Sequence, residues 1–377
     1  MKHIKTLAAL LAALMLIVYS GCLFDSDGDS NPDDDNGTVM CNTVNSIDIV
    51  DSIDISGFAN PAATDGVPQA AVTVFEGGKA YTALQRQNTS SDWWTADSVG
   101  LVIVIDVTDD LIEDTIRLSG RNPQDMVVSG SYLYVGTGGY TAGDGAIEKI
   151  DPASGNVTEL ADVADLDANL GAVGSVVAGP SGTLYAGIYN ASTYNTEVWA
   201  IDISNGSGVK LDSITNAAAG VYDSEKNRVF VADRGGYGEN LTTIDVFDAS
   251  DNSYITTVNT ASLPPNSMDI CESWLIVTCS DYVSGDLNVI DLTDLSVSDT
   301  DISISQDSKV KAVDGTVFIF ERTDADNLTV LNSTLDGIAS QTALGAGVNA
   351  SDIDKIDSET AYLTLYGAGD IKLVSLQ

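Results

Sequence analysis

The chain has 377 residues, 55 of them acidic against 16 basic, for a formal net charge of −39, and its one histidine is His3. Charge of that sign works against neutralising nucleic-acid phosphates and against direct docking on anionic lipid; it suits solubility and self-repulsion at a crowded or salty cell surface. Once His3 is lost with a leader, no imidazole remains. That excludes Ser-His-Asp and Cys-His catalysis, His-ligated haem and the common catalytic zinc sites, and leaves carboxylate chemistry such as glycoside cleavage by an Asp/Glu pair.

Residues 1–22 read MKHIKTLAALLAALMLIVYSGC: a basic start at Lys2, His3 and Lys5, then an apolar run from Thr6 to Val18 ending in small residues. This is the layout of a secretory signal peptide, too short for a stable membrane span. Tyr19-Ser20-Gly21-Cys22 resembles a bacterial lipobox, with Tyr19 where Leu usually stands. The resemblance implies removal of residues 1–21 and acylation of Cys22, with more than one acyl chain for stable anchoring. The mature chain then keeps 14 bases and a charge of about −41. Leu23 and Phe24 follow where an Asp commonly retains lipoproteins at the inner membrane, so an outer-membrane lipoprotein is expected, held by its lipid anchor only.

Residues 22–40 contain DSDGDSNPDDDNG, Asp25 to Gly37, which has almost no apolar content. Such a run repels itself, buries nothing and reads as an extended tether. Alternating Asp25, Asp27 and Asp29 look like the start of a calcium loop, but an EF-hand needs Gly at Ser30 and a bidentate Glu near its end. A solvated spacer is the expected reading; calcium is the one cofactor left open, and no metal site is assigned. With Cys22 acylated, three cysteines remain. Cys271 and Cys279 flank a single predicted strand, which places them out of bridging reach of each other. Cys41 with Cys271 is the pairing to test, against three unpaired thiols.

Residues 41–377 repeat. Seven apolar segments recur at intervals of about 42–53 residues, centred on Tyr81, Tyr134, Tyr185, Phe230, Ile276, Phe318 and Tyr362. That period suits a four-stranded propeller blade. A second marker keeps the same register: apolar strands end at Asp106, Asp151, Asp202, Asp248 and Asp291, then Asn332 and Ser375. A strand stopping at Asp or Asn before Ser, Thr or Gly predicts a turn closed by a side-chain-to-backbone hydrogen bond, so these aspartates read as structural. The fold expected is an all-β, seven-bladed β-propeller in one domain.

LYVGTGG, VFVADRGG, LIVTCSD and NVIDLTDLSV resemble the YVTN family of bacterial and archaeal surface propellers, and LVIVIDVTDD (Leu101–Asp110) is similar to the related LVIVD repeat. The resemblance covers roughly residues 68–377 and implies fold without activity. The last repeat stops at Gln377, just after its third strand. The alternating segment Asn45–Ser56 therefore supplies the missing outer strand and removes an exposed edge.

Function in a propeller falls on the loops joining second to third strands. Here they carry Trp93, Trp94, Tyr140, Tyr189, Tyr194, Tyr237, Tyr282 and Tyr366 among Gly, Ser and Asn, with Arg86, Arg234 and Arg322. Polar-tipped aromatics give large contact area at small entropy cost, which predicts a non-enzymatic interaction module for a surface protein or glycan. The bland alternatives are packing between adjacent loops and pairing of each arginine with a neighbour such as Asp233 or Glu321. Trp93 and Trp94, on the longest loop, are the strongest contact candidates. The rival is a carboxylate-dependent hydrolase or lyase, with or without calcium, drawing on Asp125, Asp269, Asp307 and Asp352 of the inner strands. A structural coat component is the third reading.

Overall fold

The second strand of each repeat is apolar at nearly every position, a pattern that only a sheet covered on both faces tolerates. In Thr316–Glu321, TVFIFE, all six residues are buried. The computed structural model describes residue 41 and residues 44–377 apart from 91–96, 181, 237–238, 262, 282 and 322–325, all within the unit Val39–Gln377.

Strand β1 (Ile47–Asp54) precedes the first blade, which is β2 (Ala70–Glu76), β3 (Lys79–Leu84), β4 (Val99–Asp106) and β5 (Leu111–Arg121). Blade 2 is β6 (Asp125–Ser129), β7 (Tyr132–Gly138), β8 (Gly145–Asp151) and β9 (Asn156–Asp162). A short helix α1 (Val163–Leu166) leads to blade 3, β10 (Leu170–Ala178), β11 (Thr183–Asn190), β12 (Asn195–Asp202) and β13 (Gly208–Lys210). Blade 4 is β14 (Ala217–Asp223), β15 (Arg228–Asp233), β16 (Thr243–Asp248) and β17 (Tyr254–Asn259). Blade 5 is β18 (Pro265–Cys271), β19 (Trp274–Ser280), β20 (Gly285–Asp291) and β21 (Val297–Ile304). Blade 6 is β22 (Lys309–Val313), β23 (Thr316–Glu321), β24 (Asn327–Leu331) and β25 (Ile338–Ala343). Blade 7 has β26 (Ala350–Lys355), β27 (Thr360–Leu365) and β28 (Asp370–Leu376), and takes β1 as its fourth strand. The expected seven-bladed propeller with an N-terminal closing strand is what the chain forms.

The core lies between blades. One apolar cluster occupies each interface, for example Val72, Tyr81, Val102, Met126 and Leu133 between blades 1 and 2, and Phe318, Leu328, Ile353 and Leu363 between blades 6 and 7. Fourth strands carry the charge, as in β5, where Glu113 and Asp114 are exposed while Ile116 and Leu118 are buried.

The turns explain the recurrent aspartates. Asp106, Asp151, Asp202, Asp248 and Asp291 each end a third strand and accept from the backbone N–H two residues on, at 2.6–3.0 Å. The residue four positions after each, Asp110, Gly155, Gly206, Asn252 or Leu295, takes a positive φ that brings the chain into the fourth strand. Tight first-to-second-strand hairpins use Gly77-Gly78 and Asp314-Gly315, both pairs at positive φ as a twist-matched two-residue turn requires.

Closure joins the two chain ends. Strand β1 pairs antiparallel with β28 from Ile47↔Leu376 to Asp54↔Asp370. Blades 7 and 1 are further joined by Asp352 Oδ2, which accepts from Thr73 N at 3.0 Å, and by the Thr73–Thr364 hydroxyl pair at 2.7 Å. Tyr362 also donates to Asp110. Ahead of β1, Cys41 forms a disulfide with Cys271, bridging 230 residues of sequence, and its N–H donates to Ser333 O. Cys271 ends β18 and Ser333 lies in the β24–β25 turn, so the chain enters on the face opposite the second-to-third-strand loops. Cys279 is a buried free thiol.

A crosslink closing so long a loop constrains the unfolded chain strongly. Replacing Cys41 and Cys271 with Ser is expected to lower stability by about 2–5 kcal/mol, read from urea unfolding of the oxidised parent and the variant. Equal unfolding midpoints would show that the bridge adds nothing to the closed ring.

Candidate functional site

The loops between second and third strands gather with the fourth-to-first connections on one face. On blades 2 and 3 this face carries a cluster of tyrosines. Tyr140 stands on the β7–β8 loop, Tyr189 near the end of β11, and Tyr194 at the β11–β12 turn. The Tyr140 and Tyr189 rings meet edge to face at 5.3 Å between centroids. Burial, followed by the neighbouring phenols Tyr194 and Tyr140, raises the Tyr189 hydroxyl pKa. Tyr140 is 68% exposed and Tyr194 77%.

Local chemistry holds these rings in place. Asn190, buried at the end of β11, accepts from Ser192 N at 3.0 Å and Thr193 N at 3.2 Å, and donates to Glu197 Oε1 at 3.0 Å. Its carbonyl takes the Tyr194 N–H at 2.8 Å, with Tyr194 at φ +63. The loop carrying Tyr140 is closed by Gly139 N to Asp144 O and tied to blade 3 by Gly143 N to Leu170 O. At Gly145 the two blades touch backbone to backbone; a Cβ there would lie 1.8 Å from Gly171 O.

Other predicted residues on this face join blades. Tyr366 donates to Gln85 Oε1 at 2.9 Å, tying blade 7 to blade 1. Arg234 spends its guanidinium on blade 5, donating to Asn266 Oδ1 at 3.1 Å and Ser280 O at 3.4 Å. The proposed pairing of Arg234 with Asp233 is replaced by a different arrangement, because Asp233 is saturated by the N–H groups of Thr215, Asn216 and Gly235. Arg86 donates to the Phe58 and Val99 carbonyls, and Glu321 accepts from Thr329 and Gln341. Cys22, Trp93, Trp94, Tyr237, Tyr282 and Arg322 lie outside the described residues.

The inner strands surround an axial channel of about 600 Å³ lined by all seven blades. An inner strand turns one unpaired backbone edge to this channel, and carboxylates from the preceding blade cap it. Asp125 accepts from Val176 N at 2.9 Å, Asp269 from Ala312 N at 2.8 Å, and Asp352 from Thr73 N. Asp307 departs from its expected place: it sits at φ +59 in an exposed turn before β22, because the blade 6 strand begins only at Lys309. Register puts Lys311 opposite Phe318 and Asp354 opposite Tyr362, where blade 5 has Asp269 opposite Ile276. The sequence reading missed Lys311 and Asp354; counting back from the second-strand aromatic would have found both.

Lys311 Nζ is 3.3 Å from Asp352 Oδ1. The Asp352 charge, with help from Asp269, Asp354 and Asp125, raises the Lys311 pKa. Burial pushes Asp125 up to about 6 and, with repulsion from Asp352, Asp354 to about 6 as well. Among the described residues, no three His, Cys, Asp or Glu side chains converge to hold a metal ion.

No family model matches the chain, and no curated protein does. Solved structures do. Hydrazine synthase of Kuenenia stuttgartiensis superposes with a TM-score of 0.62 at 11% identity, over 83% of this chain and 97% of that one. The β-propeller domain of Cps50 (Swd1) from Myceliophteria thermophila gives 0.61 at 12% identity, over 88% and 100%. At such identities the likeness is one of fold: this chain is a seven-bladed β-propeller with distant structural neighbours.

Asp125 and Asp354 bind protons more tightly folded than unfolded, where a carboxyl titrates near 4. Their contribution to stability is therefore complete below pH 4 and is lost as pH rises through about 6. Relative to the Asp125→Asn/Asp354→Asn variant, the parent should lose about 1–3 kcal/mol between pH 4 and pH 7, an allowance that includes screening by channel water. The check is urea unfolding of both proteins across that range; parallel curves would mean neither carboxyl is perturbed.

Proposed function

We propose that this protein is a non-enzymatic binding module, a YVTN/LVIVD-type lipoprotein held at the outer membrane through Cys22, which captures a surface protein or glycan on its second-to-third-strand loop face. The observation that carries the reading is the cluster of Tyr140, Tyr189 and Tyr194, with Tyr140 and Tyr194 largely exposed on turns that are themselves hydrogen-bonded into place. Rigid aromatics lose little entropy on binding, and their hydroxyls suit a partner with hydrogen-bonding groups. Two largely exposed rings that both neighbour Tyr189 are unusual on a surface that needs only solubility.

Chain entry supports the same face. Cys41 is held beside Cys271 and Ser333, on the side of the ring opposite the tyrosines. The channel carboxylates favour binding over hydrolysis, since Asp125, Asp269 and Asp352 already cap the backbone of a neighbouring blade.

Tyr140→Ala with Tyr194→Ala should weaken capture of the partner at least about tenfold while leaving the melting temperature within a degree or two. The readout is a pull-down from outer-membrane and extracellular fractions beside a glycan array, with residues 41–377 as bait. Undiminished capture by the double variant would remove this face from the proposal.

A further inference from the structure

The two loops that carry the tyrosines differ in composition from the chain around them. In a protein of net charge −39, residues 139–143 and 189–196 include no Asp, Glu, Lys or Arg. Asp144, which follows the first segment, is paired with Arg121 at 3.3 Å. The helix packed against this loop, where a Cβ at Gly143 would meet Ala164 at 3.9 Å, belongs to a connection that carries the carboxylates of Asp165 and Asp167. An uncharged patch with an acidic border repels an anionic ligand and offers nothing to neutralise it.

Hydrogen-bonding capacity is left over on the patch. The hydroxyls of Tyr140, Thr193 and Tyr194 and the carboxamide of Asn195 have no hydrogen-bond partner among the described residues. Hydroxyl and carboxamide groups each both donate and accept, and none of these carries a charge. Their chemical complement is a ligand that donates and accepts at many neutral points, as the hydroxyls of a sugar do. The rings supply the other half of sugar recognition, since one face of a pyranose is a row of C–H groups that lies flat on an aromatic ring.

Size and setting argue against a protein. Two exposed tyrosines offer roughly 300 Å² of contact, whereas a stable protein interface covers about 800 Å² on each partner around an apolar centre. Apart from the rings, the two loops expose Thr141, Ala142, Ser192 and Thr193, with no aliphatic side chain larger than Ala. Among the described residues of this face the other exposed large apolar side chains stand singly, Leu241 on blade 4 at 37% and Val283 on blade 5 at 87%. The rings are also fixed in advance: Tyr140 by its perpendicular contact with Tyr189, and Tyr194 by its N–H bond to Asn190 O. A preformed site loses little on binding a ligand of few contacts.

We infer that the partner captured on this face is a neutral glycan, its pyranose C–H faces stacked on Tyr140 and Tyr194 and its hydroxyls bonded by the uncharged groups beside them. This assignment rests on the capture role proposed above and narrows it to one class of ligand.

The test passes outer-membrane and extracellular fractions over the immobilised, disulfide-bonded protein, untreated, after digestion with proteinase K, and after periodate, which cleaves vicinal diols. Bound mass should survive proteinase K and fall at least about tenfold after periodate. The retained material should pass an anion exchanger unbound, and capture should change less than about twofold between about 0.05 and 0.5 M salt, because no ion pair forms. Tyr140→Ala/Tyr194→Ala should reduce capture at least about tenfold, while Leu241→Ser/Val283→Ser leaves it unchanged. Circular dichroism checks that both variants are folded. Capture lost to proteinase K, capture that persists after periodate, retention on the exchanger, stronger salt dependence, or loss in the Leu241/Val283 variant would each overturn the neutral glycan and leave the capture face standing. Full capture by the tyrosine variant, or none by the parent, would remove the face itself and the glycan with it.

Discussion

Each blade of this protein is a sheet with two apolar faces, and nothing but another blade covers them. Closure of the ring is therefore the condition on which every interface depends, and closure rests on β1 pairing with β28. That pairing sets the first strand of the propeller beside the last. Opening it would expose two blade faces and two strand edges together.

The edges at the axis pose a second problem, solved differently. Inner strands have no fifth strand to pair with, so their N–H groups face the channel. Asp125, Asp269 and Asp352 satisfy several of them from the neighbouring blade, which stitches the ring together and concentrates negative charge at its centre. Lys311 offsets part of that charge. Structure and electrostatics are thus linked: the groups that hold the blades in register share the channel with Lys309 and Lys311 and set its charge.

Departures from sevenfold regularity mark the places with chemistry of their own. The blade 3–4 interface takes only the partly buried Val177, Ala217 and Tyr222 from its inner strands, where each of its counterparts fully buries an apolar inner-strand residue. Blades 2 and 3 likewise depart on the loop face, where Gly145 meets the backbone of Gly171 and brings Tyr140 beside Tyr189. Propeller folds host many functions, and the distant likeness to solved propellers carries none of these features across.

Much of this architecture is legible in the sequence by itself. Tyr81 to Tyr362 mark seven second strands, Asp106 to Asp291 mark the turns after third strands, and Asn45–Ser56 has the alternation of a closing strand. These signals are local, because a strand's burial and a turn's hydrogen bond are decided within a few residues. The site was not legible in the same way. Asp307 looked equivalent to Asp125 until register placed it in a turn, and Lys311 and Asp354 went unremarked in strands of ordinary composition. Tyr366 and Arg234 read like binding residues, yet they bond across blades. Which side chain meets which depends on how neighbouring sheets twist against each other, a relation between residues tens to hundreds of positions apart. Only the closed ring decides it.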